Sequence, residues 1–375
     1  FSVNYPHNPS ILPIWDRIPT DQTVTGRGVT MAFVDSGFAP HPDIAPRIKR
    51  YVDAASRHIL EYGDISATDV FSWHGQMTSF IAAGSGATSG GRYRGRASDD
   101  QLVLVRITSK QNTLREHDIQ RGLDWLCHRH EKLGIRVVNV SVGGDAPSSD
   151  PDHPLHRAIS RLIEDGVVVT IASGNSGQRG LVPPATTPGA VVVGGYDDQN
   201  TMNRDEWFPY NSNWGEDING KPKPDLIAPA AWLPSPILAG SDMERDAAWL
   251  APLLYQDDVG KLMDDIINQG YEEMDFPGVA DQLPMYRIHR LIQERIHKHK
   301  LIDQHHQHVD GTSVAAPIVA AVAAQMLEAN PDLAPHDVRR ILKETAVPLM
   351  SMPLEQQGAG IVNPLAAVEL AREMR

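Results

Sequence analysis

Ser313 lies in the stretch Asp310-Gly311-Thr312-Ser313-Val314-Ala315-Ala316-Pro317, between a Gly-Thr turn and an apolar helical run that continues to Met326. A hydroxyl at a helix N-terminus sits among backbone N–H groups that lack a partner within the helix. Such donors stabilise negative charge developing on a reacting oxygen. The position also suits a plain N-cap, so the serine becomes a candidate nucleophile only if a base and an orienting acid exist elsewhere. Three further stretches offer them. Asp35 ends the apolar run Val29-Thr30-Met31-Ala32-Phe33-Val34 and is followed by Ser36-Gly37. His74 opens the apolar helical stretch that runs to Gly84. Asn175 follows an apolar run in the turn Ser173-Gly174-Asn175-Ser176-Gly177, where its amide could donate to an oxyanion. Singly, each has an ordinary reading: turn residues for Asp35 and Asn175, a structural histidine for His74. Jointly they are the groups that nucleophilic acyl transfer requires.

Groups so far apart in the chain need a scaffold that gathers them. The runs 29–34, 137–140 and 167–172 are continuous and rich in Val and Ile, as strands buried on both faces of a parallel sheet are. They alternate with helical stretches at 117–133 and 156–165. The alternation predicts an α/β fold with a mostly parallel central sheet covered by helices. Open sheets of this kind carry their chemistry at the carboxyl edge, which is where Asp35 and the turn to Asn175 would lie.

The four segments resemble the subtilisin-like (subtilase) serine peptidases, and Asp…His…Ser is the subtilisin order. Further blocks carry the resemblance: Phe38-Ala39-Pro40-His41-Pro42-Asp43-Ile44, Val137-Val138-Asn139-Val140-Ser141-Val142-Gly143-Gly144, Pro188-Gly189-Ala190-Val191, Tyr210-Asn211-Ser212-Asn213-Trp214-Gly215, Lys223-Pro224-Asp225 and Gly358-Ala359-Gly360-Ile361-Val362-Asn363. They run from about residue 25 to about 370. The resemblance implies a subtilisin-like three-layer α/β fold over residues 1–375 and a serine endopeptidase working through an acyl-enzyme. It makes Ser313 the nucleophile, His74 the base, Asp35 its orienter, and Asn175 with the Ser313 backbone N–H the oxyanion hole. Ser141, Val142 and Gly143 would pair with extended substrate, and Ala172, Ser173 and Gly174 would wall the specificity pocket. Its floor falls near Leu181 and Val182, which lack charge, so a broad or apolar preference before the scissile bond is expected. A catalytically silent regulatory protein and an acyl-transfer ligase or esterase are the competing readings, because fold alone does not select an activity.

Composition narrows the setting. The chain has 375 residues, 41% hydrophobic and 22% charged, as a globular protein of one large domain or two would have. No apolar run reaches the roughly 20 residues of a membrane span, and a net charge of −13 argues against nonspecific nucleic-acid binding. The single cysteine, Cys127, cannot form an internal disulfide, and its place on a helical face reads as buried apolar filler. A lack of disulfides fits the cytoplasm without requiring it. The start at Phe1 fits a processed, secreted chain as well, so the compartment stays open.

Three departures from the family pattern stand out. The histidine block reads His74-Gly75-Gln76-Met77 rather than His-Gly-Thr-His. The replaced histidine is not a triad member, so an intact triad is expected. Asp43 sits where the family often places a calcium ligand, yet the loop 84–95 that would supply the rest holds no Asp or Glu and two arginines. Calcium takes roughly six to eight oxygens, so no required cofactor is expected and a structural calcium is disfavoured. Residues 231–309 form a long insertion before the nucleophile block, too long for a structureless loop. Helices are expected at 242–256, 259–270 and 282–301, the last with Ile288, Leu291, Ile292 and Ile296 on one face. The insertion reads as a stabilising decoration or as a lid or docking surface for a pro-segment or protein regulator. Its histidines, His297, His299, His305, His306 and His308, read first as solvated, with a pH-responsive hinge and metal binding as the lesser readings.

Overall fold

A computed structural model describes residues 11–375 apart from 19, 57, 66–68, 110–112 and 256–259. The chain divides into two compact units. The first holds Leu12–Leu233 and Asp310–Arg375, opens on the single helical turn α1 (Ile14–Arg17), and contains all the candidate catalytic residues. Its frame is a sheet of nine strands among the described residues. They include β1 (Thr30–Asp35), β2 (Ile48–Asp53), β3 (Leu60–Tyr62), β4 (Gln101–Arg106), β5 (Ile135–Val140), β6 (Val168–Ala172) and β7 (Val191–Asp197). Across the sheet the order is Leu226–Pro229, β7, β6, β5, β1, β4, β2, β3. Every pairing from Leu226–Pro229 to β2 is parallel, while β3 on β2 and Phe208–Pro209 on β7 are antiparallel. All six residues of the central strand β1 are buried, as its unbroken apolar sequence requires.

Side chains alternate along these strands between two covered faces. Ala32, Val34, Val103, Val105, Val138 and Val140 share one core with α3 (Glu116–Leu133) and α4 (Pro154–Glu164), whose boundaries lie within two residues of those expected. The intervening Met31, Phe33, Leu102, Leu104 and Val137 are equally buried. Their side of the sheet is covered by α2 (Ser72–Ala83) and by the helix Thr312–Ala329, which pack against each other. The result is the expected three-layer α/β fold. By length and composition Thr312–Ala329 could cross a membrane, but 89% of it is buried inside the protein. Its alanines let neighbouring helices and strands approach closely on all sides. Cys127 is buried, as expected; its Sγ donates to the Ala158 carbonyl at 3.4 Å, and burial pushes the thiol up to about 11.

Among the described residues, the second unit comprises Ile11 and Pro234–Val309. It is helical with a core of its own, including Leu250, Ile266, Tyr271, Met274, Ile288 and Ile292. The first expected helix runs Asp242–Leu250 and tightens into a 3-10 turn at Ala251–Leu254; its expected end at Gln256 lies outside the described residues. The second runs Gly260–Asp265 and widens into a π-turn at Ile266–Gly270, with Val259 outside the described residues. The third runs Met285–His299. Its start is later than expected because Pro284 disfavours helical backbone at the residue before it, and Lys300 ends it in the left-handed conformation. Within this unit His299 pairs with buried Asp246 at 2.7 Å and His306 with Asp303 at 2.9 Å. Among the described residues no group of three His, Cys, Asp or Glu side chains could hold a metal ion.

Candidate active site

Asp35 is the last residue of β1 and is fully buried. A buried carboxylate needs donors to offset its lost hydration, and several are present, the Ser36 hydroxyl at 3.3 Å from Oδ1 among them. Ser36 N donates to Oδ1 at 2.7 Å, Thr78 Oγ1 to Oδ2 at 2.9 Å, and the His74 ring pairs through Nδ1 with Oδ1 at 2.6 Å. His74 and Thr78 are one helical turn apart in α2 and so present one face to Asp35. The first turn of α2 lies hard against the loop after β1. A Cβ on Gly75 would fall 2.0 Å from the Gly37 carbonyl oxygen and 2.8 Å from the Phe38 ring. Only glycine allows this approach, so the His74-Gly75 dipeptide is a packing requirement as well as a chemical one. Met77, in the place of a second histidine, is buried.

Burial works against the His74 imidazolium, but the charge of Asp35 and its hydrogen bond outweigh it, and the pKa lies above the ordinary 6.5. With Nδ1 engaged by Asp35, Nε2 is the ring atom left for proton transfer.

Ser313 is the second residue of Thr312–Ala329, which packs against α2, so the first turns of two adjacent helices carry the serine and the histidine. Pro317 has no N–H to give the Ser313 carbonyl four residues back. Ser141 supplies the missing donor, with its Oγ 3.1 Å from the Ser313 carbonyl oxygen. Ser313 Oγ in turn lies 3.5 Å from the Ser141 carbonyl oxygen. The end of β5 is thereby tied to the serine by two contacts.

Asn175 follows β6. Its Oδ1 accepts from Thr312 N at 2.8 Å and from Thr312 Oγ1 at 2.9 Å, and Gly174 N donates to Thr312 Oγ1 at 3.1 Å. With Oδ1 occupied, the amide Nδ2 is the free end. A Cβ on Gly311, at φ 139°, would lie 3.6 Å from Asn175 Nδ2 and 3.6 Å from Ser313 N. The two N–H groups therefore border one small space that the absent side chain keeps open.

The expected substrate-binding residues also gather here. Ser141 and Ser173 are buried, Val142, Ala172 and Gly174 half-buried, and Gly143 exposed. Val182 Cγ2 lies 3.0 Å from where a Gly143 Cβ would be, and Leu181 is buried. Asp145 is exposed; its N–H donates to Glu116 Oε2 at 3.1 Å, a carboxylate that sequence reasoning did not single out. Asp43 serves a separate loop. Its Oδ2 accepts from Gly86 N at 2.7 Å and its Oδ1 from Thr88 N and Oγ1 at 3.0 Å, while Arg47 Nη2 donates to the Asp43 backbone oxygen at 2.7 Å.

Thr78 and Thr312 went unassigned in the sequence. Thr78 was within reach, since it stands four residues after His74 in an otherwise apolar stretch.

The sequence model of the Subtilase family matches residues 26–360. Serine protease AprX of Bacillus subtilis (strain 168) is 30% identical over 350 residues, covering 91% of this chain and 66% of that protein. Subtilisin Savinase of Lederbergia lenta is 26% identical over 344 residues, covering 92% of each. This chain thus spans slightly less than two thirds of AprX and nearly all of Savinase. Among solved structures, a mutant protease domain of PatA superposes with a TM-score of 0.62 at 19% identity, over 95% of this chain and 99% of that one. Fervidolysin from Fervidobacterium pennivorans gives 0.63 at 18% identity, over 97% and 47%. These two support the fold alone.

Proposed function

This chain belongs to the subtilase family, and on that premise we propose that it is a serine endopeptidase that hydrolyses peptide bonds through Asp35, His74 and Ser313. The observation that carries the reading is the 2.6 Å pair between His74 Nδ1 and buried Asp35 Oδ1, set in the helix that packs beside the one carrying Ser313. His74 Nε2 takes the Ser313 proton as Oγ attacks the carbonyl carbon. Asp35 keeps the proton of the ring on Nδ1 and stabilises the imidazolium. The carbonyl oxygen becomes an oxyanion held by Asn175 Nδ2 and Ser313 N–H. His74 then protonates the leaving amine, and water releases the acyl group by the same steps in reverse.

The partner is a protein or peptide. Extended substrate pairs with Ser141–Gly143, and the side chain before the scissile bond enters between that segment and Ala172–Gly174. Val182 against Gly143 makes the floor uncharged and shallow, which favours small or medium apolar side chains. Every group in the scheme belongs to the chain, so it calls for no cofactor. Asp43 acts as a cap for the turn at Gly86–Thr88. Two of the donors to its carboxylate are backbone N–H groups, which cannot ligate calcium, and the Thr88 hydroxyl alone falls far short of a shell of about six to eight oxygens.

Cleavage of a peptide library, read by mass spectrometry, tests this. New termini after small or medium apolar residues, absent with Ser313→Ala, are expected. Cleavage confined to Arg or Lys would refute the pocket assignment, and cleavage that persists in Ser313→Ala would refute the mechanism.

A further inference from the structure

Trp232 has a backbone conformation that only glycine adopts readily, with φ at 61°. A bulky residue stays there only when its surroundings hold it from several sides, and three groups do so. Arg17 Nη2 donates to the Trp232 carbonyl oxygen at 2.6 Å. The Trp232 N–H donates to Asp310 Oδ1 at 3.1 Å, and the indole Nε1 to Asp197 Oδ1 at 3.1 Å. Arg17 is itself fixed by fully buried Asp198, with Nη1 at 2.5 and 2.6 Å from the two carboxylate oxygens.

The other end of this chain of contacts is the oxyanion site. Asp310 precedes Gly311, whose N–H donates to the Ala230 carbonyl at 2.7 Å. Thr312 follows and fixes Asn175, and Ser313 comes next. A continuous path of hydrogen bonds and short backbone steps therefore runs from the N-terminal segment through Arg17, Trp232 and Asp310 to both oxyanion donors.

We infer that Asp310 is a positioning residue for the oxyanion site and that Arg17 anchors it through Trp232. The inference rests on the peptidase reading and deepens it. Asp310 touches no reacting atom. It holds the start of the Gly311–Ser313 turn in register with the segment Ala230–Trp232, so that Ser313 N–H and Asn175 Nδ2 face one point. Arg17, in the segment before β1, thus supports the oxyanion site from a distance.

The test compares Asp310→Ala with Asp310→Asn, which keeps an oxygen acceptor for the Trp232 N–H. The readouts are kcat and KM on a chromogenic peptide, melting temperature, and affinity for a peptide aldehyde that becomes an oxyanion when bound. Matched affinity for the corresponding alcohol serves as reference, since it forms no oxyanion. Asp310→Ala should lower kcat about three- to tenfold and weaken the aldehyde by a similar factor. KM, alcohol binding and melting should stay near the wild type, and Asp310→Asn should recover most of the loss. Adding Arg17→Lys to Asp310→Ala should cost less than the product of the two single effects. Wild-type kcat and aldehyde affinity in Asp310→Ala would overturn the inference. So would an Asn variant as impaired as Ala, or fully multiplicative effects with Arg17→Lys. A wild-type chain that neither hydrolyses the peptide nor binds the aldehyde would sink the peptidase reading and this inference together. An active wild type with an unchanged Asp310→Ala would sink this inference alone.

Discussion

Thr312→Val separates the geometry of the oxyanion site from its mere presence. The substitution keeps the shape of a fully buried side chain and removes its hydroxyl. Two hydrogen bonds go with it: Thr312 Oγ1 to Asn175 Oδ1 at 2.9 Å, and Gly174 N to Thr312 Oγ1 at 3.1 Å. The backbone bond from Thr312 N to Asn175 Oδ1, 2.8 Å, remains. Asn175 is exposed and keeps one anchor instead of two, so its amide samples orientations that miss the oxyanion. A neutral hydrogen bond contributes about 0.5–1.5 kcal/mol net. If that much is lost only in the transition state, kcat falls about two- to twelvefold with KM nearly constant. The half-buried Gly174 N–H also loses its partner, which costs about 1 kcal/mol of stability, at the low end for such groups because water can reach it. Steady-state kinetics on a peptide substrate and urea unfolding measure both. Thr312→Ser restores the hydroxyl and should restore both quantities. A Val variant with wild-type kcat would refute the idea that Thr312 orients Asn175.

Three more expectations follow from the site and its surroundings. The kcat/KM profile should fall on the acid side through a pKa above 6.5, because His74 must be neutral to act and Asp35 raises its pKa despite burial. Since that folded-state pKa is raised, His74 adds stability that is complete below the unfolded value near 6.5 and lost as pH climbs through the folded one. An acid limb below 6.5 would contradict the pairing. Calcium chelation should leave the melting temperature unchanged, whereas Asp43→Ala should lower unfolding free energy by about 2–4 kcal/mol, since it strips acceptors from Gly86 and Thr88. A chelator-induced drop in melting temperature would show that Asp43 belongs to a metal site. Val182→Gly should deepen the pocket and raise kcat/KM for Phe relative to Ala before the scissile bond by roughly tenfold or more, read by competitive cleavage; an unchanged ratio would move the floor elsewhere.

The parts of the site that could be read from sequence are those that end a recognisable run. Asp35 closes an apolar strand, His74 opens an apolar helix, and Asn175 sits in the turn after another strand, so parallel-sheet logic brings them to one edge. The three-layer fold was legible for the same reason, since β-branched runs alternate with amphipathic stretches. Local pattern says less about what holds these groups. The role of Pro317 emerges only when Ser141 is seen to serve the Ser313 carbonyl. Arg17 and Trp232 lie far apart in sequence and meet only through the fold, and nothing near Trp232 announces a left-handed backbone. In the insertion the helices could be expected from spacing, but their ends shift where Pro284 and Lys300 override the apolar period.

The most direct test of the account is labelling with a fluorophosphonate, which reacts only with a serine that a base has activated. Mass spectrometry of the digested adduct should place the label on Ser313. Ser313→Ala should abolish it, and His74→Ala should slow it by several orders of magnitude in a protein that still melts cooperatively. A folded wild-type chain that takes no label, or one labelled at another serine, would contradict the claim that Asp35, His74 and Ser313 form a working nucleophilic centre.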